Sequence, residues 1–304
     1  MTDGIPVDLG CFSYLARARI LRVDQYPEPD TGAEVLGVLD ALAGDGPITA
    51  VTASALGLTC ALAANNVGDD PAGHQLLQHL DRADVRHRLT ATDADPTPEL
   101  NVITDRAGTR TWFAHLAQAY TALGEADLTV LTAARLAYID CYRIMTAAAV
   151  RAIDTAVRAQ VPLFLNLGGD PLHPAVAHAA AEGDLVAVQT SLPTHRTGQA
   201  HDLAEHLART LRPVAALVTL GPQGAIARTS TAVHQSPAGQ GRPRHTHGAG
   251  AAFSAGFAAA YLAGHDLPTA LTAACRTGTD HCAAITERPL RATGDRRLVS
   301  SSTV

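Results

Sequence analysis

The sequence predicts an α/β fold: a central, mostly parallel sheet covered on both faces by helices, with a small β lid. Three observations carry this expectation. Short apolar runs of strand length alternate with Ala-rich segments of helical periodicity along most of the 304 residues. Two stretches, 17–38 and 100–113, break that alternation and read as exposed strands joined by turns. Late in the chain, Gly248-Ala-Gly250 opens directly into a helix that is apolar all round.

Taken in order, Val7–Gly10 is the first expected strand and Thr59–Asn65 the next. Asp69-Asp70-Pro71 then announces a helix over about 72–83, because an Asp followed by Pro is a strong helix start. Leu136–Asp140, Val161–Asn166, Leu185–Gln189 and Ala215–Leu220 are further buried strands, and Ala147–Ala159 and His201–Leu211 have clear helical periodicity. Asn101–Asp105 running into Arg106-Ala-Gly108-Thr-Arg110 is a hairpin signal. The chain is expected to be one domain over 1–304, with a lid built from about 11–42 and 96–116. The tail after Gly294 is expected to fray.

Composition narrows the function classes. Apolar residues make up 47% and aromatics 4%, so the core must be built from Ala, Leu and Val. The net charge is −6 and no basic run exceeds a pair such as Arg296-Arg297, which argues against nucleic acid or an anionic membrane as partner. All 23 basic residues are Arg, so no lysine is present to form a Schiff base or a P-loop-type phosphate contact. Five scattered cysteines without a C-x-x-C pair fit reduced thiols. Met1–Gly10 lacks the features of a signal peptide, and the apolar run Ala251–Ala263 is shorter than the ~20 residues that span a bilayer. A soluble, cytoplasmic protein is expected.

The glycine turn carries the chemistry. In Gly248-Ala249-Gly250, backbone N–H groups and the dipole of the following helix converge on one point, an anion hole suited to a phosphoryl group. The alternative is that Gly248 and Gly250 merely permit a tight turn. His245 and His247 flank this turn, and His titrates near neutrality. In an extended segment they would share a face, with His247 the nearer candidate base. The alternative is a pair of partly exposed loop histidines, and no third residue completes a metal-ligand set. Asp140 and Asn166 stand at strand ends, where α/β proteins bind ligands, or else serve as turn and cap residues. Asp45, Asp170 and Arg143 are further pocket candidates.

Several segments resemble the PfkB/ribokinase family of carbohydrate and nucleoside kinases. His245-Thr-His-Gly-Ala-Gly-Ala-Ala-Phe-Ser-Ala-Gly256 resembles the family's D-T-x-G-A-G-D-x-F-x-x-G signature, keeping its glycines and Phe253. Val218-Thr-Leu-Gly-Pro-Gln-Gly-Ala225 is similar to the strand and turn that border the nucleotide. Gly68-Asp-Asp-Pro-Ala-Gly73 resembles the G-D-D-x-x-G helix start, and Pro96-Thr97 with the Gly108–Arg110 turn resembles the lid strands. The resemblance runs from about Val7 to about Ile285. It implies a ribokinase-like three-layer sandwich, and family members often dimerise through their lids.

The resemblance also implies ATP as donor with Mg²⁺, and a sugar or nucleoside as acceptor. Thr219, Gly221, Gly224, Gln189 and His281 would then lie at the nucleotide, with His281 otherwise a surface histidine. Ser13, Gly44, Asp45, Gly46, Asp140 and Asn166 would lie at the acceptor. The departures weigh equally. Ala251 replaces the Asp that takes the acceptor's proton, and a positioned base is worth about 10²–10⁴-fold. His245 replaces the Asp that opens the signature. Gln189-Thr-Ser-Leu192 aligns with N-x-x-E and has no carboxylate, which leaves Mg²⁺ dependence open. Ala43-Gly-Asp-Gly-Pro-Ile48 aligns with G-G-x-G-x-N and lacks its Asn, and the early Asp falls near Leu15. The expectation is a divergent member, with weakened or altered phosphoryl transfer or a purely ligand-binding role.

Overall fold

The computed structural model describes residues 6–106 and 108–283. Strand β1 (Val7–Phe12) opens the central sheet. The chain then leaves it for two antiparallel lid strands, β2 (Ala16–Val23) and β3 (Val35–Ala43). Gly44 returns it to the core at helix α1 (Asp45–Ala55). Its φ is +98°, and a Cβ there would stand 1.9 Å from the carbonyl oxygen of Tyr14, so the lid-to-core turn excludes every residue but glycine.

Strand β4 (Cys60–Ala63) pairs in parallel with β1, and β5 (Val67–Gly68) leads into helix α2 (Pro71–Arg82). Asp70 caps that helix by accepting from the Gly73 amide at 2.8 Å. Its carboxylate also accepts from the Thr97 amide at 2.9 Å and the Thr97 hydroxyl at 2.8 Å. One side chain thereby ties the helix start to the entry of the second pair of lid strands. Strand β6 (Val85–His87) forms the sheet edge, β7 (Ala91–Thr92) pairs with β5, and β8 (Glu99–Thr104) and β9 (Arg110–His115) complete the lid in the order β3-β2-β8-β9.

Helices α3 (Ala117–Gly124) and α4 (Thr129–Thr132) lead back to the central sheet. There β10 (Ala134–Asp140), α5 (Thr146–Arg158), β11 (Leu163–Asn166), α6 (Pro174–Ala180), β12 (Leu185–Ser191), α7 (Ala200–Leu211) and β13 (Ala215–Thr219) alternate. Strands β14 (Ala225–Arg228) and β15 (Val233–Ser236) turn antiparallel, and helices α8 (Ala249–Leu262) and α9 (Leu267–Ala283) close the described chain. The sheet order is β15-β14-β13-β12-β11-β10-β1-β4-β6, parallel from β13 to β6.

Side chains alternate across this sheet. Leu136, Tyr138 and Phe164 join the core beneath α1, α2, α8 and α9, whereas Ala137, Ile139, Leu163 and Leu165 join the core beneath α3–α7. Apolar on both faces, these strands read as continuous hydrophobic runs, which is why the sequence locates them. Strands β6 and β15 escape that reading because Val85-Arg-His87 and Val233-His-Gln-Ser236 are short and polar, and β14 escapes it because its apolar run is only Ala225-Ile-Ala227.

The expected three-layer sandwich with a small lid is the architecture found, with one correction to its surface. The lid strands are not exposed throughout: Ala18, Ile20, Leu100 and Val102 are buried and belong to the same apolar cluster as Leu116, Leu123 and the strands of the central sheet. One side of the lid is thereby part of the main core, which strand periodicity does not specify. All five cysteines are buried, and among the described residues none is joined in a disulfide. Among the described residues no helix is long and apolar enough to cross a membrane. The frayed tail expected after Gly294 lies outside the described residues.

Gly44→Ala is expected to cost about 1–3 kcal/mol of stability through strain at the lid-to-core turn. Denaturant unfolding of the variant beside the parent protein measures it, and an unchanged midpoint overturns the reading.

Candidate functional site

Four polar residues stand at the C-terminal ends of adjacent strands on the face that α1 and α8 cover. Asp140 pairs in register with Asn166 and Asn166 with Gln189. Phe12 pairs with Ile139, so Ser13 follows opposite Asp140. Each lies two residues beyond an apolar residue of the same face: Cys11, Tyr138, Phe164 and Ala187. The strand period of two therefore turns four apolar columns into one polar row at the sheet edge. All four are buried.

The row is fully engaged. Asp140 accepts from the Ser13 hydroxyl at 2.5 Å, from the Asn166 amide at 2.8 Å and from the Gly46 backbone N–H at 3.0 Å. The last bond holds the start of α1. Asn166 also donates to Asp45 at 3.0 Å, and the Tyr142 hydroxyl donates to the same Asp45 oxygen at 2.6 Å. Asp45 is the half-buried end of the cluster, whereas Asp140 has no exposure.

Gln189 holds the other helix. Its amide donates to the Gly250 carbonyl oxygen at 3.1 Å, and its own oxygen accepts from Ser254 at 2.7 Å. Helix α8 begins at Ala249, whose own amide donates to the Thr246 carbonyl oxygen at 3.4 Å, so the first-turn amides of Gly250 and Ala251 point out of its N-terminus, where an anion would sit. Gly248, at φ +76°, is the turn that aims them. It is pressed between His281 and Ile48, for a Cβ there would lie 2.7 Å from the His281 ring and 3.2 Å from Ile48. Ala251 is wholly buried and its carbonyl oxygen accepts from the Thr49 hydroxyl at 3.1 Å.

The histidines do not share a face. The His247 ring nitrogen Nε2 lies 2.7 Å from the Leu42 carbonyl oxygen in the lid, whereas the His245 ring packs edge-on against His281 at 5.4 Å. The intervening segment is a turn rather than a strand, so the two-residue alternation does not apply. His281 is not a surface residue either. It is half-buried, with Nε2 2.9 Å from the His247 carbonyl oxygen.

Thr219 ends β13, and Gly221 and Gly224 bracket the turn to β14, closed by the Leu220 amide donating to the Gly224 carbonyl oxygen at 2.8 Å. Asp170 accepts from the Arg143 backbone amide at 2.9 Å and so braces the loop after β10. Tyr142, Thr49 and Ser254 belong to the site and escape the sequence reading. The signals for two of them were nonetheless present: Tyr142 follows Asp140 by two residues, and Ser254 follows Gly250 by one helical turn.

The cluster is electrostatically tense. Burial pushes the Asp140 carboxyl up to about 7, the neighbouring Asp45 charge pushes the same way, and the Ser13 and Asn166 donors oppose them. Burial likewise raises the Tyr142 hydroxyl, followed by the charges of Asp140 and Asp45. The donor set at the Mg²⁺ position implied by the resemblance does not fit a metal. Gln189 spends both ends of its amide on α8 and Leu192 is apolar. Among the described residues no group of three His, Cys, Asp or Glu could hold an ion.

A family model described as "pfkB family carbohydrate kinase" matches residues 8–283. Solved structures share the fold. A microbiome-derived acarbose kinase is 19% identical with a TM-score of 0.73, covering 93% of this chain and 94% of that one. Arabidopsis thaliana ribokinase complexed with ribose and ATP is 15% identical with a TM-score of 0.71, covering 92% and 94%. A Methanocaldococcus jannaschii nucleoside kinase is 18% identical with a TM-score of 0.67, covering 91% and 92%. No curated protein sequence matches the chain significantly.

The raised Asp140 carboxyl has a defined consequence for stability. Its folded value exceeds the unfolded value of about 3.9, so its contribution is complete below about pH 4 and is lost as pH rises through about 7. Asp140→Asn is expected to flatten the melting temperature between pH 4 and 8 relative to the parent. Parallel slopes across that window overturn the assignment.

Proposed function

The chain belongs to the pfkB family of carbohydrate kinases, and from that membership we propose a divergent phosphoryl-transfer enzyme acting on a sugar- or nucleoside-like acceptor beneath the lid. The observation that carries the reading is the polar row of Ser13, Asp140 and Asn166, extended to Asp45 and lying beside the first-turn amides of α8. Hydroxyl-binding groups and an anion hole meet there at the C-terminal edge of a parallel sheet, where α/β proteins take their ligands. ATP is the proposed donor. The Gly248–Gly250 turn would hold a phosphate, with Thr219 and the Gly221–Gly224 turn bordering the nucleoside.

Asp45 is the proposed replacement for the base absent at Ala251. Thr49 touches the Ala251 carbonyl oxygen, and Asp45 precedes Thr49 by four residues, one turn of α1 along the same face. Its carboxylate is oriented by Tyr142 and Asn166 and is the less buried of the two acids. Asp140 acts through it as a positioning residue. His247, with Nε2 at a lid carbonyl, keeps only Nδ1 for proton transfer. Phosphoryl transfer depends mainly on positioning and electrostatics, so a displaced base slows it without abolishing it.

The buried alanine at the family's base position favours a second reading, a ligand-binding protein without turnover. Association through the lid belongs to either reading. The outer lid strands β3 and β9 expose Leu36, Trp112 and Phe113, and a second copy is the proposed partner there.

Calorimetric titration with ATP, ADP and AMP, with and without Mg²⁺, followed by a screen of sugars and nucleosides for ATP consumption, tests the proposal. Asp45→Asn is expected to lower turnover about 10²–10⁴-fold with nucleotide binding intact. Full activity in Asp45→Asn with loss in His247→Ala would move the role to His247. Tight binding without any product would select the second reading.

A further inference from the structure

The tip of the β8–β9 hairpin and the segment Pro243–Thr246 enclose a cavity of about 450 Å³. Its lining is cationic: Arg22 from β2, Arg106 from the hairpin turn and Arg244 from the segment, with His245 beside them. The acidic residue in the wall, Asp105, uses its carboxylate to accept from the Thr109 amide at 2.9 Å and close the hairpin turn. Arg106 pairs with Asp24 at 2.6 Å. Among the described residues, neither Arg22 nor Arg244 has a carboxylate within the 4.0 Å of an ion pair.

Three guanidinium groups gathered in one concavity repel one another, and the chain as a whole is acidic, with a net charge of −6. The other sizeable cavity, of about 280 Å³ at Leu62–Asn66, differs. Its arginine, Arg88, is paired with Asp127 at 2.8 Å. The walls of the cationic cavity are also tied together. Arg110 donates to the Thr246 carbonyl oxygen, and the Thr246 hydroxyl donates to the Gly108 carbonyl oxygen at 3.3 Å. Thr246 stands two residues before Gly248, so the cavity abuts the loop already assigned to phosphate.

We propose that this cavity is a second anion subsite, which takes the phosphate group of a phosphorylated ligand lying under the lid. A guanidinium presents paired N–H donors that match two phosphate oxygens, and it stays charged at every working pH. The inference deepens the function proposed above by naming its substrate class, and it rests on that reading only in placing the ligand beneath the lid. Two sources share this chemistry: a sugar phosphate as acceptor, or the polyphosphate tail of a nucleotide.

The test is calorimetry on the full chain with two matched pairs, ribose against ribose 5-phosphate and adenosine against ATP. The parent is compared with the double variant Arg22→Ala/Arg244→Ala and with Arg158→Ala, an exposed arginine on α5 far from the cavity. All three substitutions remove exposed side chains, and equal melting temperatures establish that the variants fold. The parent is expected to prefer at least one phosphorylated partner by about tenfold or more, as hydrogen bonds to charged groups allow. The double variant is expected to lose that preference while Arg158→Ala keeps it. Loss confined to ribose 5-phosphate identifies a phosphorylated acceptor, and loss confined to ATP identifies the nucleotide's tail. Either supports the subsite. Survival of the preference in every pair where the parent shows it, or its absence from the parent in both pairs, overturns it. Failure of the parent proposal reads differently: no ATP consumed with any acceptor, whatever the phosphate preference.

Discussion

A carboxylate without solvent exposure organises this molecule. Asp140 ends β10, next to the middle strand of the sheet, and gathers the hydroxyl of Ser13 just beyond one neighbouring strand, the Asn166 amide from the other neighbour and the Gly46 backbone N–H in the first turn of α1. Burying an ionised carboxylate is costly unless it is hydrogen-bonded, so these partners are not optional decoration. They force Ser13, Asn166 and the start of α1 into one plane. Gly44 must then make its tight turn at once, because α1 starts one residue later. The lid is attached through that same turn, which makes the lid's position a consequence of a buried carboxyl group.

Around this hub the polar chemistry has moved rather than vanished. Ile48 and Ala251 stand where the family resemblance implies an Asn and an Asp. They lie together, with Ile48 against Gly248 and Thr49 against the Ala251 carbonyl oxygen. An apolar plug therefore fills the junction of α1 with α8. The carboxylate available to a ligand is one turn further out, at Asp45. Two acids that share one donor amide resist double ionisation, and burial decides which of them gives way. Asp140, the fully buried member, is the one pushed towards its neutral form. Asp45 is the half-buried member of the pair, the side from which a ligand would meet it, with Asp140 behind it as its positioning partner.

Much of this was legible in the sequence, for a physical reason. Strands buried on both faces are apolar until they emerge, so Asp140, Asn166 and Gln189 announce themselves as the first polar residues after such a run. The glycine turn before α8 is equally plain, since its glycines interrupt an otherwise continuous helical segment. Thr49 was not legible, because its role depends on a partner brought close only by tertiary packing, whereas Tyr142 and Ser254 stood at spacings that a closer reading of Asp140 and Gly250 would have caught. The histidines misled for a related reason. A two-residue alternation holds only in a strand, and the segment from His245 to His247 is a turn. The cationic cavity was invisible too: Arg22 and Arg244 belong to distant parts of the chain, and only the tertiary fold sets them in one wall.

Persistence of the glycine turn is weaker support for a bound ligand than it first appears. Gly248 is required by its positive φ and by the closeness of His281 and Ile48. Gly256 is required because a Cβ there would lie 2.5 Å from Thr277 on α9. Both glycines would survive in a scaffold that bound nothing. The acidic pair obeys the opposite rule. Replacing buried, coupled carboxylates with apolar groups of similar volume is often neutral or stabilising, so packing alone gives no reason to keep them. Asp140 carries a cost of burial, and its pairing through Asn166 with the half-buried Asp45 favours a ligand with hydroxyl groups beside them. The acids, rather than the glycines, carry the functional argument.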